Sequence, residues 1–405
     1  MGIKSRVIYR RVIWYNALIP QTRRFCRVFL FPRSALSHCD CPMTAPFSLA
    51  PYAFPASHTQ GRRYLELPHP YRGAFQRDRD RIIHCAAFRR LSEKMQVFTA
   101  EFGNYHRTRL THTMEVVGVA RTIGRVLRLN EDLIEAAALL HDIGHSPFGH
   151  AGESVLDRLL QNNGGFDHNA QALRIVEKLE CRYTGFPGLN LSHELLEGQT
   201  YKITKTNIPL LEIQVVDIAD SIAYDTHDVD DAMEIGLLST DQPKDISLWK
   251  HSAQKVRTQW TSLNETEFRR AVIHDMLETQ VSDVLAATKQ RLDGITESRT
   301  FDRMLVAPSD EIAGQKREME RFLLDNVYRH PNVLRQRRRV EAWLETIFNE
   351  YVAKPDMLPV RYASVIQQEG VSRAVADYIA DQTDRSVRLE RRKMKQNHTG
   401  FLFSE

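Results

Sequence analysis

The chain has 405 residues, of which 42% are hydrophobic and 26% are charged, which allows a sizeable core and excludes an intrinsically disordered protein. Its longest uninterrupted apolar stretches have about five residues, against the ~20 that a membrane-spanning helix needs, so a transmembrane protein is excluded. Five cysteines are too few for a disulfide scaffold, and we expect a cytoplasmic protein without a membrane partner.

The net charge of +4 is unevenly distributed along the chain. Residues 1–42 hold eight Lys or Arg residues and one acidic residue, so the remainder, with 47 basic and 50 acidic residues, has a net charge of −3. An Arg-rich, acid-poor leader is typical of an organellar transit peptide, whereas a true start at Met43 would make these residues translated upstream sequence. We favour Met43 and leave residues 1–42, an N-terminal extension, out of the fold prediction.

Residues 43–70 are rich in Pro, Ala, Ser and His and predict an extended arm. From about residue 71 the apolar residues recur at helical spacing, most clearly over 109–129. Asn130 predicts the N-cap of a helix that reaches His141. Further helices are expected at about 167–180, 210–233, 251–290, 315–326, 333–352 and 370–393. Because runs of alternating β-branched residues are scarce, the predicted fold class is all-α.

The stretch that points to chemistry is HDIGHSPFGHAGE at residues 141–153, which begins where that helix ends. His141 and Asp142 are adjacent, so one helix end can offer an imidazole and a carboxylate to the same ion. His112 lies on the apolar face of the preceding helix, and Asp220 lies within an apolar run. Burying such groups costs several kcal/mol unless they are paired or bind a metal. We therefore predict that four separate positions on the helices converge on one metal ion.

Each of these residues also has a purely structural interpretation. A single His on an apolar face is usually a hydrogen-bonded core histidine, and Asp220 could cap a helix or pair with an Arg. Taken together, the set favours a metal site. Two imidazoles and two carboxylates suit Mg²⁺, Mn²⁺, Fe²⁺, Co²⁺ or Zn²⁺ and do not separate them, although we expect Mg²⁺ or Mn²⁺. Four protein ligands leave coordination positions for water and a phosphate oxygen.

The pattern His112, His141-Asp142 and Asp220 resembles that of the HD-domain metal-dependent phosphohydrolases. Within that superfamily the chain is similar, from about residue 71 to 390, to the dGTP triphosphohydrolase (dGTPase) branch. The strings that carry the resemblance lie at residues 75–84, 87–91, 96–98, 107–113, 141–153, 220–228 and 328–331. The resemblance implies an HD-domain catalytic core over 71–290, with the motif region at about 108–235, and a helical C-terminal region over 291–405.

The resemblance also implies roles for individual residues. The catalytic metal would be bound by His112, His141, Asp142 and Asp220. The polar groups beside the reacting phosphate would be His145, His150, Glu153 and His168, with His150, oriented by Glu153, as the acid–base residue and His168 as its main rival. The sugar and phosphates would meet Gln96, Arg109, Tyr224, Asp228, Arg270 and His274. Ser221 stands where some relatives place a Lys against the phosphates, so phosphate binding would rely more on Arg109 and Arg270.

The activity that the resemblance implies is metal-dependent hydrolysis of a deoxynucleoside triphosphate (dNTP), dGTP or a broader set, to deoxynucleoside and inorganic triphosphate, in dNTP pool control. It further implies a homo-oligomer and an allosteric nucleotide. The basic runs at 335–339 and 388–395 are solvated faces or contacts for such an effector or for single-stranded nucleic acid. Two alternatives stay open: an HD phosphodiesterase or 5′-nucleotidase acting on another phosphate ester, and a nucleotide- or nucleic-acid-sensing protein that kept the metal site.

Overall fold

The computed structural model describes residues 48–97, 107–297 and 301–400, with side chains described up to residue 396. The predicted N-terminal extension and the start at Met43 lie outside the described residues. Within the described ranges the chain forms fifteen α-helices and no β-strand, with two isolated bridges, Arg62–Ser192 and Met95–Thr108. The all-α prediction is confirmed. No helix in these ranges combines the length and the apolar character that crossing a bilayer requires.

The helices of the first half of the chain are α1 (Ala74–Ile83), α2 (Ala86–Arg90), α3 (Arg109–Val126), α4 (Glu131–Leu140), α5 (His150–Leu159), α6 (His168–Arg174), α7 (His193–Thr204) and α8 (Leu211–Glu234). Those of the second half are α9 (Ser247–Gln259), α10 (Glu265–Leu292), α11 (Asp310–Leu323), α12 (Pro331–Ala353), α13 (Ala363–Glu369), α14 (Val371–Ala380) and α15 (Asp384–Gly400). Single π-helical segments, Ile175–Leu179 and Leu324–Tyr328, extend α6 and α11.

Helix α4 places His141 and Asp142 in the interior of the protein. Its N-cap is Asn130, as predicted, and the side-chain oxygen of Asn130 accepts a hydrogen bond from the Leu133 N–H at 3.3 Å. Seven of its ten residues are buried, because the helix packs against α1, α3 and α8. Its last turn therefore delivers His141 and Asp142 to the interior, at a helix end whose partial negative charge favours cations.

Two predicted helices are each interrupted in the structure. The segment 251–290 is divided between α9 and α10, and Asn264 caps α10 by accepting a hydrogen bond from the Glu267 N–H at 2.9 Å. The segment 370–393 is divided between α14 and α15, and Thr383 Oγ1 accepts from the Ser386 N–H at 3.2 Å. In both cases a capping side chain starts a new helix although the apolar period continues, because it satisfies the free N–H groups of the first turn.

The C-terminal helices pack against two of the helices that carry the predicted site, α5 and α8. Helix α12 packs against α5, and α11 packs against α8 and α9. One apolar cluster joins α5 to α12, α14 and α15, and another joins the end of α8 to α9, α10 and α11. The described residues form one compact unit, so the division into a core over 71–290 and a C-terminal region over 291–405 stays a prediction.

Candidate metal and histidine centre

Three ligand atoms from different helices converge at the end of α4. His112 Nε2 on α3 lies 2.9 Å from Asp220 Oδ1 on α8, and His141 Nε2 lies 3.7 Å from the same oxygen. The three side chains each offer one ligand atom within 4.8 Å of the others. Burial lowers the pKa of His112, but the hydrogen bond to Asp220 and the charges of Asp220 and Asp142 together outweigh burial and raise it. We call His112, His141 and Asp220 the metal trio.

His141 shows that the metal trio fits a cation. Its Nδ1 lies 2.6 Å from the Ala138 carbonyl oxygen, so Nδ1 carries the proton and Nε2 carries the lone pair. Nε2 is buried and has no hydrogen-bond partner among the described residues, although carboxylate oxygens of Asp142 and Asp220 each lie 3.7 Å away. Burial lowers the pKa of His141, so its ring stays neutral. A neutral imidazole with an unpaired acceptor facing two carboxylates suits a metal ion.

Asp142, the fourth predicted ligand, links the metal trio to two further groups. Its Oδ2 accepts a hydrogen bond from Arg109 Nη1 at 2.8 Å, and its Oδ1 lies 3.2 Å from His145 Nε2. Burial raises the pKa of Asp142, but the charge of Arg109 and the neighbouring histidines holds it well below its usual range. The carboxylate is therefore ionised and lies between Arg109, His145 and the metal trio.

Glu153 on α5 joins two histidines beside this cluster. Its Oε2 lies 3.0 Å from His150 Nδ1, and its Oε1 lies 2.7 Å from His168 Nδ1 and accepts from the His168 backbone N–H at 2.9 Å. Burial raises the pKa of Glu153, but the hydrogen bonds from His150 and His168 bring it far below its usual value. The ring of His145 stacks on that of His168 at 3.9 Å between centroids. The predicted acid–base residues are thus brought together.

The three histidines differ in which ring nitrogens are engaged. His168 faces Glu153 with Nδ1, and its Nε2 lies 3.2 Å from Asn169 Nδ2. His145 is buried against Asp142, and burial lowers its pKa well below the usual value. The His150 side chain is 71% exposed, and its Nε2 has no hydrogen bond among the described residues. Of the three histidines, His150 therefore has the most exposed ring.

Comparison with known proteins agrees with this geometry. Residues 109–225 match the HD domain, and residues 306–393 match the phosphohydrolase-associated domain. The chain is 40% identical to the deoxyguanosinetriphosphate triphosphohydrolase-like protein of Geobacter metallireducens, over 83% of this chain and 92% of that protein. The corresponding protein of Ralstonia nicotianae is 38% identical over 87% of this chain and 97% of its own length. The chain belongs to this family. It is an HD-domain phosphohydrolase, as the resemblance predicted.

A second group of predicted residues in this HD phosphohydrolase lies further along α8. Asp228 accepts a hydrogen bond from the hydroxyl of Tyr328, and the ring of Tyr328 stacks on that of Tyr224 at 6.1 Å between centroids. Burial raises the pKa of Asp228 to about 7. Asp220, Tyr224 and Asp228 are spaced by four residues and share one face of the helix. Tyr328 was not predicted as a site residue, although it lies in one of the strings that carry the family resemblance.

Gln96 lies beside the start of α3. Its backbone N–H donates to the Arg107 carbonyl oxygen at 3.2 Å, next to the Met95–Thr108 bridge. Its side-chain Oε1 is buried and has no hydrogen-bond partner among the described residues. A free buried acceptor is costly unless a ligand donates to it, so Gln96 is a candidate for substrate contact.

Arg270 and His274 do not contact these groups. Both are exposed on α10, and the structure gives neither a hydrogen bond nor an ion pair within the part of the chain that it describes. The neighbouring Arg269 is buried instead and pairs with Asp230 and Glu234 on α8. Phosphate binding by Arg270 and His274 therefore stays a prediction.

Lys202 is a cation near the metal trio that was not predicted from the sequence. Its Nζ lies 2.9 Å from Asp217 Oδ1, one helical turn before Asp220. Burial lowers the pKa of Lys202, but the charges of Asp217 and Asp220 outweigh burial and raise it, so the ammonium stays charged. The signal was present in the spacing: Leu195, Gln199 and Lys202 follow one another at four and three residues, and the first two lie on the buried face of α7.

Proposed function

We propose that the protein hydrolyses dNTPs, dGTP among them, to deoxynucleoside and inorganic triphosphate, and so contributes to dNTP pool control. The observation that carries the proposal is the placement of the His150–Glu153 pair beside the metal trio. Two triphosphohydrolase-like relatives near 40% identity, which cover most of the chain, support the choice of substrate class.

The residues around the metal trio suit a substrate with a strongly charged phosphate chain. A divalent cation held by the metal trio and Asp142 would supply Lewis-acid polarisation of a phosphate oxygen and a more acidic water molecule. Arg109, bonded to Asp142, and Lys202, bonded to Asp217, add two positive charges near the metal trio. Arg109 Nε is buried and has no partner among the described residues, so it retains an N–H for a phosphate oxygen.

The histidine group suits departure of the nucleoside. Water adds to the α-phosphorus and loses a proton to the solvent, and the bond from the α-phosphorus to the 5′-oxygen breaks. The 5′-oxygen must take up a proton because an alkoxide leaves poorly. His150 donates that proton through its free Nε2, while Glu153 holds Nδ1 and stabilises the charged ring. His168 shares the carboxylate and positions it, and the neutral ring of His145 packs against His168.

The groups on α8 and Gln96 suit the sugar. Gln96 Oε1 and Asp228 offer acceptors for the 3′-hydroxyl, and Tyr224, stacked on Tyr328, offers an apolar face to the deoxyribose ring. Assembly into a homo-oligomer and control by an allosteric nucleotide belong to the same proposal, on the family resemblance alone.

Product analysis tests this proposal. Purified protein is incubated with each dNTP and NTP and with Mg²⁺ or Mn²⁺, with and without a second nucleotide, and the products are separated by anion exchange. We expect deoxynucleoside and intact triphosphate, and no turnover after chelation or in Asp220→Ala, whose bound metal is measured by elemental analysis. Release of dNMP and pyrophosphate would contradict the proposal. Turnover of dNMPs or cyclic nucleotides alone would indicate a phosphodiesterase or nucleotidase, and dNTP-dependent assembly without triphosphate would indicate a sensor.

A further inference from the structure

The loop that carries His145 and His150 adopts a backbone conformation that its sequence does not favour. Phe148 has φ 61° and Gly149 has φ 58°, two consecutive residues in the left-handed region. For a residue with a side chain such as Phe148 this conformation is costly and persists only where surrounding contacts impose it. Glycine is favoured at position 149 because a φ of 58° strains any residue with a side chain, and a Cβ there would also lie 2.6 Å from Arg109 Nη2. Other parts of the chain must therefore hold this loop.

Lys94 holds the beginning of the loop. It is 2% exposed, and its Nζ donates to the His145 carbonyl oxygen at 2.6 Å and to the Ala380 carbonyl oxygen at 2.8 Å. Ala380 is the last residue of α14, so one buried lysine side chain bonds the loop to the C-terminal helices. The Lys94 carbonyl oxygen also accepts from the Arg109 N–H at 2.8 Å, which ties the first residue of α3 to the same segment.

Asp384 holds the end of the loop. It is 5% exposed, and its two carboxylate oxygens accept from the Phe148 N–H at 2.8 Å and from the Met95 N–H at 3.2 Å. An Asp at the start of a helix commonly caps that helix. Here the side chains of Thr383 and Ser386 bond each other's backbone N–H groups at 2.7 and 3.2 Å, which leaves Asp384 for the loop.

We propose that Lys94 and Asp384, which we call the clamp, are positioning residues that set the His145–His150 loop for proton transfer and make α14 and α15 part of the catalytic machinery. This inference rests on the proposed function. The two clamp residues bond the same three segments. Lys94 bonds the loop and the end of α14, and Asp384, at the start of α15, bonds the loop and Met95, the residue that follows Lys94. Neither side chain reaches the metal trio or the His150–Glu153 pair directly.

Loss of either clamp residue leaves two buried polar groups without partners and releases one end of the loop. A displacement of ~1 Å in catalytic geometry lowers the rate about a hundredfold, so we expect kcat to fall more than KM changes. The metal trio lies on α3, α8 and the end of α4, so metal content is expected to stay the same.

Hydrogen exchange in the unaltered protein tests the clamp without reference to activity. The amides of Phe148 and Met95 are expected to exchange as slowly as amides inside α4, because each donates to a buried carboxylate. They are followed by NMR in protein labelled with ¹⁵N at Phe or at Met. Fast exchange of both amides would overturn the proposal, even if every variant failed to fold.

Asp384→Asn and Lys94→Met test the consequence for catalysis. We expect kcat to fall about 10- to 100-fold with KM within about threefold, and unchanged bound metal. The matched control is Asp381→Asn, which loses ion pairs to Arg90 and Arg361 at the same junction but has no bond to the loop. Its kcat is expected to stay within about twofold of that of the unaltered protein. Because both clamp residues serve one loop, the double variant should lose less than the product of the two single losses.

Equal losses of kcat in Asp381→Asn and Asp384→Asn would overturn the clamp. In that case any weakening of the segment between α14 and α15 would lower kcat, whether or not it bonds the loop. If the unaltered protein releases no triphosphate, the proposed function fails, and exchange still decides the clamp. In that case Asp384→Asn is expected to speed exchange of the Phe148 amide and Asp381→Asn is not. Equal exchange in the two variants would overturn the clamp.

Discussion

The HD region at 109–225 and the C-terminal region at 306–393 contribute to the candidate site in different ways. Most of the predicted site residues come from the HD region, in short strings of His, Asp, Glu and Tyr. The C-terminal region contributes none of them, yet its residues Lys316, Tyr328 and Asp384 bond helix α8 or the His145–His150 loop. Groups that perform chemistry are recognisable by residue type, whereas groups that position them are recognisable only by what they contact.

Lys316 on α11 illustrates this division between the two regions. Its ammonium pairs with Asp225, lies 3.1 Å from Gln280 Oε1 and donates to the Ser221 carbonyl oxygen at 3.2 Å. It thus bonds α8 at the residues that follow Asp220 and Tyr224, which are proposed to bind the metal and to contact the sugar. The C-terminal region therefore contacts both the His145–His150 loop and α8.

In the comparison of the two regions, the largest change in kcat is expected from a substitution within the HD region. His150→Ala should lower kcat about 100- to 1000-fold, because the free Nε2 of His150 is the proposed proton donor. His168→Ala should lower kcat only about tenfold, because both ring nitrogens of His168 are already engaged by Glu153 and Asn169. Both variants should retain bound metal by elemental analysis. A greater loss in His168→Ala would reverse the two roles.

Much of the fold and part of the site could be predicted from the sequence because their signals are local. Asn130 and the apolar periodicity specify α4 without tertiary information, and the residue types at 112, 141 and 220 mark a cluster that the structure does bring together. The part played by Lys94 and Asp384 could not be predicted, since both bond backbone atoms of distant segments. A backbone partner leaves no trace in the type or spacing of the residues that contact it.

A smaller effect is expected from the C-terminal region at the sugar side of the site. Tyr328→Phe removes the hydroxyl that donates to Asp228 and keeps the ring that stacks on Tyr224. A hydrogen bond contributes about 0.5–1.5 kcal/mol, or about 1.5–3 kcal/mol where its partner is charged, so kcat/KM for a dNTP should fall at least about two- to tenfold.

The matched control for Tyr328→Phe is Tyr351→Phe in the same region. It removes a hydroxyl that donates to Glu390 Oε1 at 2.6 Å, away from α8. Its kcat/KM should stay within about twofold of that of the unaltered protein, since a hydrogen bond that is not next to the site affects stability rather than substrate binding. If both variants lose activity alike, the C-terminal region acts through stability, and the comparison drawn above fails.

The smallest effect on activity is expected where a buried carboxyl group positions the arm rather than the site. Glu212 Oε1 accepts from the Phe54 N–H at 2.8 Å and from the Asn130 N–H at 3.2 Å, and burial raises the pKa of Glu212 to about 7. Between pH 4.5 and 7 the folded protein keeps a proton that the unfolded chain has lost, so this group lowers the free energy of unfolding as the pH rises.

Glu212→Gln keeps the accepting oxygen and cannot ionise. The variant and the unaltered protein should therefore be about equally stable near pH 4.5, and the variant should be more stable at pH 8 by up to about 3 kcal/mol, measured by urea unfolding at both pH values. Its kcat should be unchanged, because Glu212 contacts the arm and Asn130 at the far end of α4 from His141. If the stabilities of the two proteins change alike with pH, the carboxyl group of Glu212 ionises alike in the folded and unfolded states. A loss of kcat would mean that the arm also sets the end of α4 that carries His141.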